Sequence, residues 1–163
     1  MEEDGATFLE NAAKKAVVLA RRSGLLALGD DTGLVVPALG GEPGVRSSRY
    51  AGEDVTYEDN CRLLLARMAD IPEERRGATF VCIAAVADPE GFVGSAEGRC
   101  EGVILREPRG RGGFGYDPVF LHVPSGKTFA ELTIEEKNRV SHRAAALRGI
   151  RGTLEARIAG ALS

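Results

Sequence analysis

Excess positive charge, cysteine pairs, long apolar runs and internal repeats are all missing from this chain, and each absence removes a class of function. Lys and Arg number 21 against 24 Asp and Glu, a net charge of −3, so no global basic field draws in nucleic acid. An anionic ligand must then be met by a local cluster of cations or by a metal. The cysteines are Cys61, Cys82 and Cys100, an odd count without Cys-x-x-Cys spacing. Neither a disulfide framework nor a zinc site is expected, and a reducing, cytoplasmic setting is. No apolar run approaches the roughly 20 residues of a membrane span, so no membrane partner is expected. The first residues, Met1-Glu2-Glu3-Asp4, are acidic and carry neither the charged nor the apolar region of a signal peptide. There is no Gly-x-x-x-x-Gly-Lys-Ser/Thr phosphate loop either.

What is present describes one soluble globular domain over 1–163, with 44% apolar and 28% charged residues. A first helix is predicted from Phe8 to Arg22, with Thr7 and Glu10 as a capping box and Ser23-Gly24 as the stop. Leu25 to Leu28 reads as a buried strand ending at an acidic pair, and Leu34 to Val36 as extended chain up to Pro37. A second helix is predicted over Tyr57 to Met68 behind Thr56. Thr79 to Ala87 and Phe92 to Cys100 form a predicted antiparallel hairpin around Asp88-Pro89-Glu90-Gly91. Gly102 to Leu105 and Pro118 to Val123 are further predicted strands. A short helix opens at Thr133 and a long one at Ser141, running to about Ala161. That order implies the α/β class with a mixed sheet, not a regular doubly wound fold.

Four clusters carry candidate chemistry. Asp30 and Asp31 are adjacent carboxylates, which repel by about 4 kcal/mol at about 4 Å and an effective dielectric of about 20. A nearby cation would relieve that, and Mg²⁺ commonly binds through one or two carboxylates plus substrate phosphates. The same Asp-Asp-Thr-Gly also suits a solvated turn. On an extended chain the two side chains point to opposite faces, so one is expected to reach the site and the other to stand behind it. In the second cluster, Arg109 to Asp117, the glycines match Gly-x-Gly-x-x-Gly but lead into a strand, not the helix a dinucleotide fingerprint needs. A loop that sets Phe114 and Tyr116 against a flat ligand is one reading, with Asp117 accepting from ring N–H groups. Both rings as core residues is the other.

The third cluster is Lys137 with Ser141, His142 and Arg143. Ser141 as N-cap puts His142 and Arg143 in a first helical turn, where backbone N–H groups and the helix dipole favour an anion. A capped helix with solvated charges is the plainer alternative. Lys15 is the fourth, on a helix packed just before the acidic strand, with a surface lysine as its alternative. Asp59, Asn60 and Cys61 are assigned to structure.

At these residues the chain resembles the inosine triphosphate pyrophosphatase (Ham1-like) family. The matching segments run in order from Glu3 to Ala12, through Lys15-Ala16, Asp30 to Leu34, Ala38 to Gly41 with Pro43-Gly44, and Ser48 to Gly52. They continue with Pro108-Arg109-Gly110, Gly113 to Pro118, Ala130 to Leu132, Glu135 to Asn138 and Ser141-His142-Arg143. The resemblance implies Mg²⁺-dependent hydrolysis of ITP, dITP and XTP to the monophosphate and pyrophosphate. It implies an elongated curved sheet between two lobes, and a homodimer. Asp31 would be the metal ligand and base, Glu3 a second metal ligand, and Lys15 a phosphate contact. Thr32 would bind substrate, Phe114 would stack on the base, and Gly115, Tyr116 and Asp117 would line that pocket. Lys137, His142 and Arg143 would complete base recognition. Family members begin with a strand, a glycine-bearing turn and a helix carrying a Ser/Thr-x-Asn-x-x-Lys phosphate motif. No counterpart precedes Thr7, so a domain truncated at its N-terminus is expected. The rival expectation is a catalytically impaired nucleotide-binding remnant.

Overall fold

A computed structural model describes residues 5–161. Helix α1 (Phe8–Ser23) starts as predicted: Glu10 N–H donates to Thr7 Oγ1 at 3.2 Å, and the Glu10 carboxylate accepts from Thr7 N at 3.2 Å. It ends at Gly24 in the left-handed conformation. Strand β1 (Ala27–Val35) follows and corrects the sequence reading in one respect. The acidic pair lies inside the strand, not at its end, and joins two segments that looked separate. Helix α2 (Tyr57–Arg67) carries the expected Thr56 cap. Strands β2 (Gly77–Asp88) and β3 (Gly91–Ile104) form the hairpin, and the Asp88 carboxylate accepts from the turn N–H groups of Glu90 (2.8 Å) and Gly91 (3.0 Å). Gly102 to Leu105 is not a separate strand; β3 runs on into it.

The strand expected over Pro118 to Val123 shrinks to β4 (Phe120–His122), between 3₁₀ turns at Asp117–Val119 and Val123–Ser125. Each turn carries a proline at its start, where the missing N–H costs nothing. A two-residue strand, β5 (Lys127–Thr128), was not foreseen. Helices α3 (Ile134–Val140) and α4 (His142–Ala161) complete the chain. The strands form one sheet in the order β1-β2-β3-β4-β5. The β3–β4 pairing is antiparallel with Val103 opposite Leu121, and β4–β5 is antiparallel with Leu121 opposite Thr128.

The chain divides into two compact units. The first holds the segment up to Thr32, Val81–Arg99, and the segment from Ser141. Its centre is β2, whose run Val81 to Ala87 is buried on both faces, as a continuous apolar strand requires. Ile83, Ala85 and Ala87 pack on Ala12, Ala16 and Ala20 of α1, while Cys82, Ala84 and Val86 pack on Ala146 and Ile150 of α4. The period of two in the strand thus meets a helix on each side.

The second unit, Gly33–Phe80 with Cys100–Val140, is built on larger side chains. Phe80, Phe120 and Phe129 cluster with ring centroids 4.6–5.6 Å apart, among Leu34, Leu64, Met68 and Ile104. Arg76 is only 1% exposed. Its guanidinium donates to the carbonyls of Ile104 (2.8 Å), Met68 (2.5 Å), Leu105 (2.9 Å) and Ile71 (3.3 Å). Burial lowers its pKa from the ordinary value, with the like charge of Arg106 acting the same way and Glu73 opposing. Removing this side chain strands several buried acceptors at about 1–3 kcal/mol each. Arg76→Ala is expected to lose at least about 3 kcal/mol of stability, read as a lowered urea midpoint. Arg76→Lys recovers little, because one ammonium cannot span that fork.

Candidate functional site

Within the first unit, β1 and α1 approach so closely that position 29 admits only glycine. A Cβ on Gly29 would lie 2.7 Å from Ala16 N and 2.8 Å from Ala12 O. The contact sets the polar face of α1 over the acidic pair. Lys15 Nζ donates to Asp31 Oδ1 at 2.8 Å and to the Asp30 carbonyl at 3.1 Å, and Asn11 Nδ2 donates to Asp31 Oδ2 at 3.2 Å. Asp31 is 6% exposed. Sequence reasoning missed Asn11, although a signal existed: it stands four residues before Lys15, on the same helix face.

Asp30 points the other way. Its Oδ2 accepts from Arg143 Nε at 3.1 Å and Arg143 Nη2 at 3.0 Å, and from the Thr32 hydroxyl at 3.3 Å. Arg143 arrives there because Ser141 caps α4, accepting from Ala144 N at 3.3 Å. The first turn of α4 also rests on β3 at Gly98, where a Cβ would collide with the His142 carbonyl. His142 is buried in the same turn. The carboxylate repulsion that pointed toward a cation is thus relieved by two protein cations, one on each face.

A metal needs oxygen donors that converge. Among the described residues no group of three or more His, Cys, Asp and Glu side chains does so. A dedicated cage is therefore absent from residues 5–161, whereas a carboxylate-plus-phosphate site of the Mg²⁺ kind needs only one or two protein oxygens. Asp31 suits that requirement. Glu3, expected as a second ligand, lies outside the described residues.

The second unit holds the other predicted residues, and they divide. Phe114 is 49% exposed, with Lys137 Nζ 4.6 Å from its ring centroid. Tyr116 is a core residue: it is 3% exposed, and its hydroxyl donates to the Ser47 carbonyl at 2.9 Å. Its burial pushes the phenol pKa well up. Asp117 is also buried; it accepts from the Phe114 backbone N–H at 2.8 Å and pairs with Lys137. These two contacts make Asp117 an internal anchor for the loop. Gly115 lines a groove of about 580 Å³ with Tyr57, Cys61 and Phe114, and its carbonyl accepts from the Cys61 thiol at 3.3 Å.

One unit thus carries a buried carboxylate held by a lysine and an amide, and the other a half-exposed ring under an ammonium. By itself the first cluster suits phosphate chemistry, and the second suits a flat ring. Residues 1–152 match the model of the Ham1 family. The dITP/XTP pyrophosphatase of Desulforamulus reducens is 54% identical over 149 residues, which cover 91% of this chain and 74% of that protein. The protein of the same name from Thermus thermophilus is also 54% identical, over 91% of this chain and 72% of its own length. Among solved structures, the Staphylococcus aureus Ham1 protein superposes with a TM-score of 0.87 at 38% identity, covering 96% of this chain and 80% of that one. A Ham1 protein from Coxiella burnetii gives 0.86 at 41% identity over the same shares. The chain belongs to the Ham1 family.

All three thiols are free and buried. Burial, aided by the charge of Asp117, pushes Cys61 up to about 11; burial, with Glu101, does the same for Cys100, and burial also raises Cys82. A thiol pKa raised by folding favours the native state in full below the ordinary value of 9.0, and that contribution is lost as pH rises through about 11. Native protein at pH 8 is expected to react slowly with Ellman's reagent and to release three equivalents in guanidinium. Its urea midpoint should decline as pH is raised from 9 to 11.

Proposed function

We propose that this protein hydrolyses non-canonical purine nucleoside triphosphates (dITP, ITP and XTP) to the monophosphate and pyrophosphate, clearing them from the nucleotide pool. The observation that carries this reading is the 54% identity, across 91% of the chain, to relatives named dITP/XTP pyrophosphatase. The chemistry of the two residue clusters agrees with it.

Asp31 is the general base. It accepts a proton from a water that attacks the α-phosphorus, and the bond from that phosphorus to the bridging oxygen breaks as pyrophosphate leaves. Asn11 and Lys15 hold the carboxylate at 3.2 and 2.8 Å, and Lys15 adds positive charge against the phosphates. Asp31, with Glu3, would hold a Mg²⁺ ion, which when bound neutralises charge building on the phosphate oxygens. Thr32 and Arg143 hydrogen-bond Asp30 and brace it behind the base.

Phe114 stacks on the purine, with Lys137 beside the ring. Lys137 supplies a donor for a 6-keto oxygen. Adenine presents an amino group at that position, and opposing donors there cost about 1–3 kcal/mol. The protein acts in the cytoplasm as a homodimer. Three free thiols accord with a reducing compartment.

Pyrophosphate release from dITP, ITP, XTP, GTP and ATP with Mg²⁺ tests the reading. Asp31→Asn is expected to lower kcat by about 10²- to 10⁴-fold, the usual contribution of a general base. Phe114→Ala should raise KM by about tenfold or more, since base stacking contributes about 1–3 kcal/mol. Binding of inosine nucleotides without turnover in the unmutated protein would identify an impaired remnant instead.

A further inference from the structure

Helix α2 reaches the glycine loop at two points one helical turn apart. Tyr57, its first residue, is 56% exposed, and its ring centroid lies 6.4 Å from that of Phe114, tilted by 48°. Cys61, four residues on and on the same helix face, donates its thiol hydrogen to the Gly115 carbonyl at 3.3 Å. The start of α2 is locked by a complete capping box: Asp59 N–H donates to Thr56 Oγ1 at 3.1 Å and Thr56 N–H to Asp59 Oδ2 at 3.0 Å. Burial keeps the thiol protonated, and so able to donate, up to about pH 11. The exposed Tyr57 ring thus meets the half-exposed Phe114 ring of the Arg109–Asp117 loop.

We propose that Tyr57 and Cys61 are positioning residues that set the Phe114 ring for purine stacking, so that α2 tunes affinity for the base without touching the phosphates. This rests on Phe114 being the base platform. Aromatic pairs of this geometry alter an equilibrium by about two- to tenfold.

The test uses the full chain, with inosine monophosphate as a calorimetric probe and dITP turnover alongside. Tyr57→Ala is expected to weaken inosine monophosphate binding and raise KM for dITP about two- to tenfold, with kcat and the melting temperature unchanged. Tyr57→Phe restores both values, because the ring and not the hydroxyl acts. Cys61→Ala shifts binding in the same direction. In a Phe114→Ala background, Tyr57→Ala adds nothing. Unchanged binding in Tyr57→Ala, or an equal further loss in the Phe114→Ala background, overturns the proposal while leaving the platform intact. If Phe114→Ala itself leaves binding and KM unchanged, the platform reading fails and this one falls with it.

Discussion

Two carboxylates side by side in the middle of a strand are the constraint from which the first unit takes its form. Held about 4 Å apart at an effective dielectric of about 20, they would repel by about 4 kcal/mol. The pleat separates them. Asp31 turns to α1 and meets Lys15 and Asn11, while Asp30 turns to α4 and meets Arg143. Each helix must stand at the right depth for this, and a glycine in each contacting strand allows it. Gly29 lets α1 touch β1 backbone to backbone, and Gly98 does the same for the first turn of α4 on β3. The small side chains Ala12, Ala16 and Ala20 extend the first contact along a whole helix face.

A different device organises the loop of the second unit. Asp117 is buried and acts as a hub: it holds the Phe114 backbone N–H and pairs with Lys137, whose ammonium also lies over the Phe114 ring. Ring, carboxylate and ammonium are thereby fixed as a set. Tyr116 roots the same loop in the core through its hydroxyl. One aromatic is spent on anchoring and its neighbour is left half exposed, which is how a short glycine-rich segment comes to present a single defined ring.

Helix α1, its capping box, the α2 cap, the β2–β3 hairpin and the start of α4 at His142 follow from local signals, because caps, turns and periodicity act over a few residues. The chemical character of Asp31, Lys15, Phe114 and Lys137 was also readable from residue type and order. Packing between distant segments was not. Nothing in the local pattern distinguishes a carboxylate pair at a strand end from one inside a strand, since the difference lies in whether Lys15 and Arg143 arrive from elsewhere. Tyr116 and Phe114 are equivalent on paper; one packs into the core, where its hydroxyl finds the Ser47 carbonyl.

Composition and short-range pattern therefore settled the class, the order of elements and the kinds of group available for chemistry. The pairing of those groups came from contacts across 15 to 113 residues of chain, such as Lys15 with the acidic pair or Arg143 with Asp30. Such partners are chosen by burial and backbone approach in three dimensions, where a carboxylate out of water must find whichever cation the packing delivers.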